Sequence, residues 1–273
     1  LAQTRSAGER REIDLDALGV DGRRLDRTAR ALTGAAALAL PHARRSSPEQ
    51  TGLFVAGTRM PEESARRCTE SIRLRGIGAT SASAFARMSV NAPAGACAKA
   101  LGLLGPTSTF SIGRGTGLFA LALAAEWLAW RDDAAAMIAG GVDDKLGRPD
   151  EAEGAACFLL ERGATAGAIV LAGWGFAGPG AQRDAAERAM HGRAKVDALF
   201  VDAGAGPCEE WLAEGSRFGA LEGDRVWGES EATRSCVLAA IAAARIAAGE
   251  IDSAMIVASG ATSVAVVLER GRA

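Results

Sequence analysis

One unit of helix, strand and strand occurs twice in this chain, and that duplication limits what the chain can fold into more than any other feature. In the first copy a glycine-rich turn, Gly113–Gly117, opens a helix over Leu118–Trp130. The strand Ala134–Asp143 follows, then a linker and a second strand, Gly154–Gly163. In the second copy a turn near Gly228 opens a helix over Ala232–Ala248. The strands Ile251–Gly260 and Thr262–Gly271 come after it. Both copies place Leu-Ala-Ala in the helix, Ala-Met-Ile in the first strand and Leu-Glu-Arg-Gly at the close. Self-similarity of whole supersecondary units at matching spacing marks a duplicated architecture.

The strands are unbroken apolar runs rather than alternating ones, as expected of a sheet covered by helices on both faces. The repeated helices, LFALALAAEWLA and CVLAAIAAARIAA, carry alanine on nearly every side. A helix apolar all round is a buried helix, and two of them side by side can form a layer between two sheets. Further elements complete an α/β pattern. A helix is predicted over Leu25–Leu40, a strand over Thr51–Thr58 and another over Ala168–Gly178. An amphipathic helix is predicted over Ala181–Ala194 and a strand over Val196–Gly206, while residues 1–13 read as loosely held. We expect one compact unit of two halves, 1–163 and 164–273, with the turn-borne helix at about 115–131.

Composition excludes several classes of function. A net charge of −2 gives no reason to expect a nucleic-acid or anionic-membrane partner. No apolar run approaches the ~18 residues of a membrane span. The opening LAQTRSAGERREIDLD is charged and does not read as a signal peptide; without an initiator Met it reads as trimmed or processed. A cytoplasmic location is expected. Five dispersed cysteines (Cys68, Cys97, Cys157, Cys208, Cys236) lack paired spacing and read as reduced thiols. Cys97 reads as buried, and Cys208, after a Gly-Pro turn, as the more exposed. With His42 and His191 far apart in sequence, neither a metal site nor a cofactor is expected. Trp127 and Trp130, three apart, share a helix face and are expected to pack against a neighbouring layer.

Asn91–Asp143, reading NAPAGACAKALGLLGPTSTFSIGRGTGLFALALAAEWLAWRDDAAAMIAGGVD, resembles the nucleophile elbow of the β-ketoacyl synthases, the condensing enzymes of fatty-acid and polyketide synthesis. The resemblance covers most of the chain from about Leu25. It implies the thiolase-like fold, a five-layered αβαβα sandwich of duplicated halves with buried central helices. It also implies where chemistry should stand. The family's cysteine lies between strand and helix, where the helix N-terminus favours a thiolate; here that position holds Arg114. The family's H-G-T-G-T-P motif corresponds to Asp202-Ala203-Gly204-Ala205-Gly206-Pro207, with Asp202 for the histidine. Its K-S-x-x-G-H motif corresponds to Asp224-Arg225-Val226-Trp227-Gly228-Glu229, with Glu229 for the second histidine. A guanidinium stays cationic and cannot attack a thioester, so the family's nucleophile and both imidazoles are absent from these positions. Arg114 can fill the former pocket by pairing with Asp202 and Glu229, contact a partner, or act in catalysis. The family's long insert before the Glu-Gly-Ala strand is here reduced to Asp144–Glu153, which implies a pocket that is smaller, more open, or completed by another protein.

In this family the strand before the elbow pairs across a two-fold axis; here it corresponds to Thr107, Ser108, Thr109, Phe110, Ser111 and Ile112. The resemblance therefore implies a non-catalytic subunit that dimerises with an active ketosynthase, as chain-length factors do, shapes its acyl tunnel and helps position an acyl carrier protein bearing a phosphopantetheine-linked chain. Two other readings stand beside it. One is a carrier-linked decarboxylase or acyltransferase using Asp202 or Glu229 as base; the other is a purely structural homodimer.

Overall fold

The structure is a computed structural model that describes residues 13–42, 46–58, 60–80, 82–144, 153–163, 167–202, 208–214, 220–222 and 230–271. Helix α1 (Arg27–Ala39) starts where Asp26 accepts the N–H of Ala29 at 2.9 Å, a side-chain cap on an otherwise unsatisfied donor. Strand β1 (Thr51–Ala56) follows, then helices α2 (Glu62–Arg75), α3 (Ala82–Ala86) and α4 (Ala92–Leu101) and strand β2 (Thr107–Phe110). The first repeat comprises α5 (Thr116–Trp130), β3 (Ala136–Asp143) and β4 (Gly154–Glu161). The second half opens with β5 (Ile169–Ala177), α6 (Gln182–Met190), β6 (Ala198–Val201) and β7 (Ala220–Glu222). The second repeat then closes the chain: α7 (Thr233–Ala248), β8 (Ser253–Ser259) and β9 (Ser263–Arg270).

Two sheets result, one ordered β2-β1-β3-β4 and the other β5-β9-β8-β6-β7. In each, the last two strands of the repeat form an antiparallel pair, β3 with β4 and β8 with β9, and the inner neighbours run parallel. Alternation along the strands distributes side chains over five layers. Phe54, Ala56, Met137 and Ala139 project from the first sheet onto α5 and α7, and Phe200, Ala254, Ile256 and Val266 approach the same helices from the second sheet. On the outer faces Leu53, Val55, Ile138 and Val142 meet α1 and α4. Leu199, Met255, Val257 and Val267 meet α6. The order is therefore helices, sheet, central helices, sheet, helix. The many alanines of the central helices let two sheets close on the same pair of helices.

Gly117, in the first turn of α5, marks the tightest contact between the halves. A methyl group built there would lie 2.1 Å from the carbonyl oxygen of Ala232 and 2.5 Å from Sγ of Cys236. No side chain fits without moving backbone. Two expectations are corrected by the packing. Trp127 does pack inward, edge to face with Phe54 at 5.5 Å, but Trp130 is 80% exposed because it ends α5 where no facing layer remains. Cys208 is buried rather than exposed, since it joins the apolar cluster beneath α6.

Gly117→Ala should lower stability by about 1–3 kcal/mol through overpacking, read as a lowered denaturation midpoint. An unchanged midpoint would mean that the central helices are not held this closely.

Candidate functional site

The carboxyl ends of the parallel strands and the N-termini of both central helices meet in one place. In folds of this kind that is where ligands and catalytic groups gather. The elbow lies between Ile112 and Thr116, and its tight turn rests on Gly113 and Gly115 with φ of 84° and 78°. Thr116 Oγ donates to the Gly113 carbonyl and accepts the N–H of Ile112 at 3.3 Å, holding the turn. Arg114 sits at its apex, half-buried. Its backbone carbonyl lies so near Gly260 that a methyl group on that glycine would be 2.4 Å away. The elbow is thus pressed against the turn that ends β8.

Each central helix receives its N-terminal cap from the opposite half. Asp143, the last residue of β3, accepts the N–H of Ala232 at 3.0 Å, the N–H of Thr233 at 2.7 Å and the hydroxyl of Ser230. A carboxylate there satisfies free donors and complements the positive end of the helix dipole. In return Ser235, on α7, accepts the N–H of Leu118 at 3.2 Å. The Gly115 N–H donates to the carbonyl of Glu231 at 3.2 Å.

Asp202 stands at the end of β6, its N–H donating to the Val257 carbonyl at 2.8 Å. Its carboxylate accepts from Nε of Arg234, and both side chains are fully buried. The Arg234 N–H donates to Ser230 Oγ at 3.2 Å. A continuous polar path therefore runs from Asp143 through Ser230 and Arg234 to Asp202, joining the ends of the two sheets. A buried ion pair of this kind is retained because losing either partner strands the other charge, not because it adds much net stability.

Of the residues singled out from sequence, Arg114 and Asp202 are both placed among these strand and helix ends. Glu229 lies outside the described residues. A guanidinium that meets Asp202 is that of Arg234, a residue that sequence reading passed over, as it did Asp143. Each had a weak signal: Arg234 is a lone cation in the first turn of an alanine-rich helix, and Asp143 follows the paired glycines of a buried strand.

A thiol does reach this region, since Cys236 packs against Gly117. It is fully buried, and burial, reinforced by the charge of Asp143, pushes its ionisation far up. Burial likewise drives up the thiol of Cys157, and raises Cys97 from 9.0 to about 12. The thiolate is the nucleophilic form, so none of these three is poised to attack. His191 lies exposed at the end of α6, on the outer layer. Among the described residues no group of three or more His, Cys, Asp or Glu is placed to hold a metal ion, and no helix is long and apolar enough to cross a membrane.

Residues 5–162 match the family model described as β-ketoacyl synthase, N-terminal domain. No curated protein matches the sequence. Solved structures similar to this chain include the ishigamide ketosynthase/chain length factor, at 20% identity and a TM-score of 0.71, covering 94% of this chain and 84% of that one. A β-ketoacyl synthase from Burkholderia phymatum aligns at 17% identity and a TM-score of 0.68, covering 90% and 83%. A type II polyketide synthase acyl-carrier protein in complex with its ketosynthase aligns at 14% identity and 0.64, covering 82% and 79%. These likenesses show that the two-sheet architecture is the α/β thiolase fold.

Asp202→Asn or Arg234→Met alone should destabilise the protein by about 3–5 kcal/mol, whereas Asp202→Leu combined with Arg234→Met should recover most of that loss. Denaturant unfolding of the three variants checks this. Equal loss in the double variant would show that packing, not stranded charge, sets the cost. The thiols give a second outcome. Native Cys97 keeps its proton up to about pH 12, while an unfolded thiol releases it from about pH 9. The unfolded state then binds fewer protons, so stability should fall as pH rises through that window. A flat profile from pH 8 to 10.5 in denaturant melts would contradict it.

Proposed function

Since the chain belongs to the β-ketoacyl synthase family, we propose that it is a non-catalytic ketosynthase-like subunit that dimerises with an active ketosynthase in polyketide or fatty-acid biosynthesis. In that assembly it shapes the partner's acyl tunnel and helps position the acyl carrier protein with its phosphopantetheine-linked chain. The observation that carries this reading is the buried Asp202–Arg234 pair at the mouth of the central helices, beside an elbow that bears Arg114. A condensing reaction needs a thiolate and neutral imidazoles. At the positions where the family keeps them, this chain has Arg114 and Asp202 among its described residues. Asp202 also makes a poor general base, because its carboxylate is engaged by a guanidinium and shielded from solvent. That weighs against the decarboxylase or acyltransferase alternative.

The edge of the first sheet supports this reading. Among the described residues β2 is an edge strand. The carbonyls of Pro106 and Phe110 accept N–H groups of Leu53 and Gly57 on the β1 side. Alternation then turns the N–H and C=O of Thr107 and Thr109 outward, where a second strand can pair. The segment 62–106 that leads into β2 carries Leu74, Ile77, Phe85, Val90 and Leu104 as exposed large hydrophobics. Apolar groups gathered in one exposed stretch mark a surface that another protein covers. The carrier protein enters by chemistry: a tethered acyl chain needs a tunnel, and in such a dimer both subunits line it. The solved ketosynthase/chain length factor supports this pairing as a form the fold can take.

Co-expression with the ketosynthase encoded nearest to it should yield a co-purifying complex. Thr109→Pro, which removes only an outward N–H, should abolish co-purification while leaving the melting temperature of the isolated chain within a few degrees. A stable monomer that binds no ketosynthase would sink the proposal, and a homodimer indifferent to ketosynthase would favour the structural reading.

A further inference from the structure

Helix α2 is anchored at its N-terminal end only. The Glu63 N–H donates to Asp144 at 3.4 Å, and the Ser64 hydroxyl donates to Asp26 at 3.0 Å. Cys68 is buried beneath the second turn, but no other residue of α2 is, and α3 buries none. The chain is buried again in α4, through Pro93, Ala94, Cys97 and Ala98. Between these anchors, over 69–92, no residue of described exposure is buried. That stretch is an arm lying on the outside of the molecule.

Such an arm has little support from its own chain. A helix of ~12–15 residues is marginal in water unless an apolar face packs against something. Here the large apolar groups face water instead: Leu74, Ile77 and Phe85 are 67%, 81% and 63% exposed. Their burial has to come from another molecule.

Charge on the arm is one-sided as well. Arg66 and Arg67 pair with Glu70 and Glu63, each one turn away. After Glu70 the next carboxylate is Glu126, although the chain has 33 acidic residues and a net charge of −2. Arg73, Arg75, Arg87, Lys99 and Arg114 stand in that interval. The first four are exposed, and the three arginines among them lie on the arm beside Leu74, Ile77 and Phe85. The helix dipole accounts for Arg73 and Arg75, in the last turn of α2. It does not account for the lack of any acid over so long a stretch.

We propose that the arm is an association surface for an acidic protein face, and that the ketosynthase partner supplies that face. This rests on the heterodimer reading and adds to it the chemistry of partner choice. Apolar side chains interleaved with arginines suit a protein surface. Its carboxylates pair with the guanidinium groups, while its apolar groups cover the side chains between them. Complementary charge speeds encounter and turns away partners whose facing surface is basic. The arm thus selects among ketosynthases as well as holding one.

The full chain and the ketosynthase encoded nearest to it supply the test. In the isolated chain, amides over 69–92 should exchange about tenfold or more faster than those of α4, and in the complex they should slow by a similar factor. Raising NaCl from about 0.05 to about 0.5 M should weaken the complex about tenfold or more. Arg73→Gln with Arg87→Gln should weaken it comparably at low salt, with an unchanged melting temperature. Arg23→Gln with Arg24→Gln removes the same charge elsewhere on the surface and should leave binding unchanged. A complex indifferent to salt and to the arm variant, or an arm as protected as α4 before binding, would overturn the proposal and leave the heterodimer standing. No complex at either salt concentration would remove the heterodimer reading with it. Protection of the arm by acyl carrier protein alone would assign the acidic face to the carrier and likewise overturn the proposal.

Discussion

The fold depends on two helix N-termini buried side by side, each completed by the half to which it does not belong. An α-helix leaves its first N–H groups without partners, and burying them unpaired is costly. Asp143 answers that demand for α7, and Ser235 answers part of it for α5. Because each cap crosses the pseudo-symmetric boundary, neither half can close its own central helix. Gly117 allows the approach, since any side chain there would strike the Ala232 carbonyl. Alanine along both helices extends the same closeness over their length.

The same junction gathers charged groups at the mouths of the central helices. The helix N-termini supply free N–H groups and a dipole suited to an anion. Asp143 takes that role on α7, and Arg234 in the next turn then binds Asp202 from the second sheet. Charge is balanced locally, with Ser230 bridging Asp143 to the Arg234 amide. A junction of this kind is specified by hydrogen bonds rather than by apolar volume, so it holds the sheets in register. The thiols nearby fit that picture: desolvation keeps them protonated, and they behave as small apolar packing groups.

Sheet edges give the molecule its remaining openings. Among the described residues the second sheet is framed by β5 and β7, and the first ends in β2 at one side and an apolar β4 at the other. Unpaired backbone at an edge is a template for another strand. The two edges differ in surroundings, however. β2 follows a stretch of exposed hydrophobics, whereas β4 is recessed between α1 and α5.

Sequence by itself determined the twin units and nearly every element in them, because periodicity and repetition are local. Helices α5 and α7 and strands β3, β4, β8 and β9 lie within a residue or two of the spans read from LFALALAAEWLA, Ala-Met-Ile and Leu-Glu-Arg-Gly. It also placed Arg114 in the elbow, but it ran a strand through Asp202 to Gly206, whereas β6 ends at Val201. Tertiary structure alone decided what those residues meet. Arg234 reaches Asp202 across 32 positions of sequence and Asp143 caps α7 across 90, and no spacing rule encodes pairings made by layers folding together. Trp130 and Cys208 show the same limit from the other direction: helical phase and a nearby proline set their local setting, but burial depends on which layer lies opposite. Covalent order fixes periodicity, while contact between distant segments fixes charge pairing and exposure.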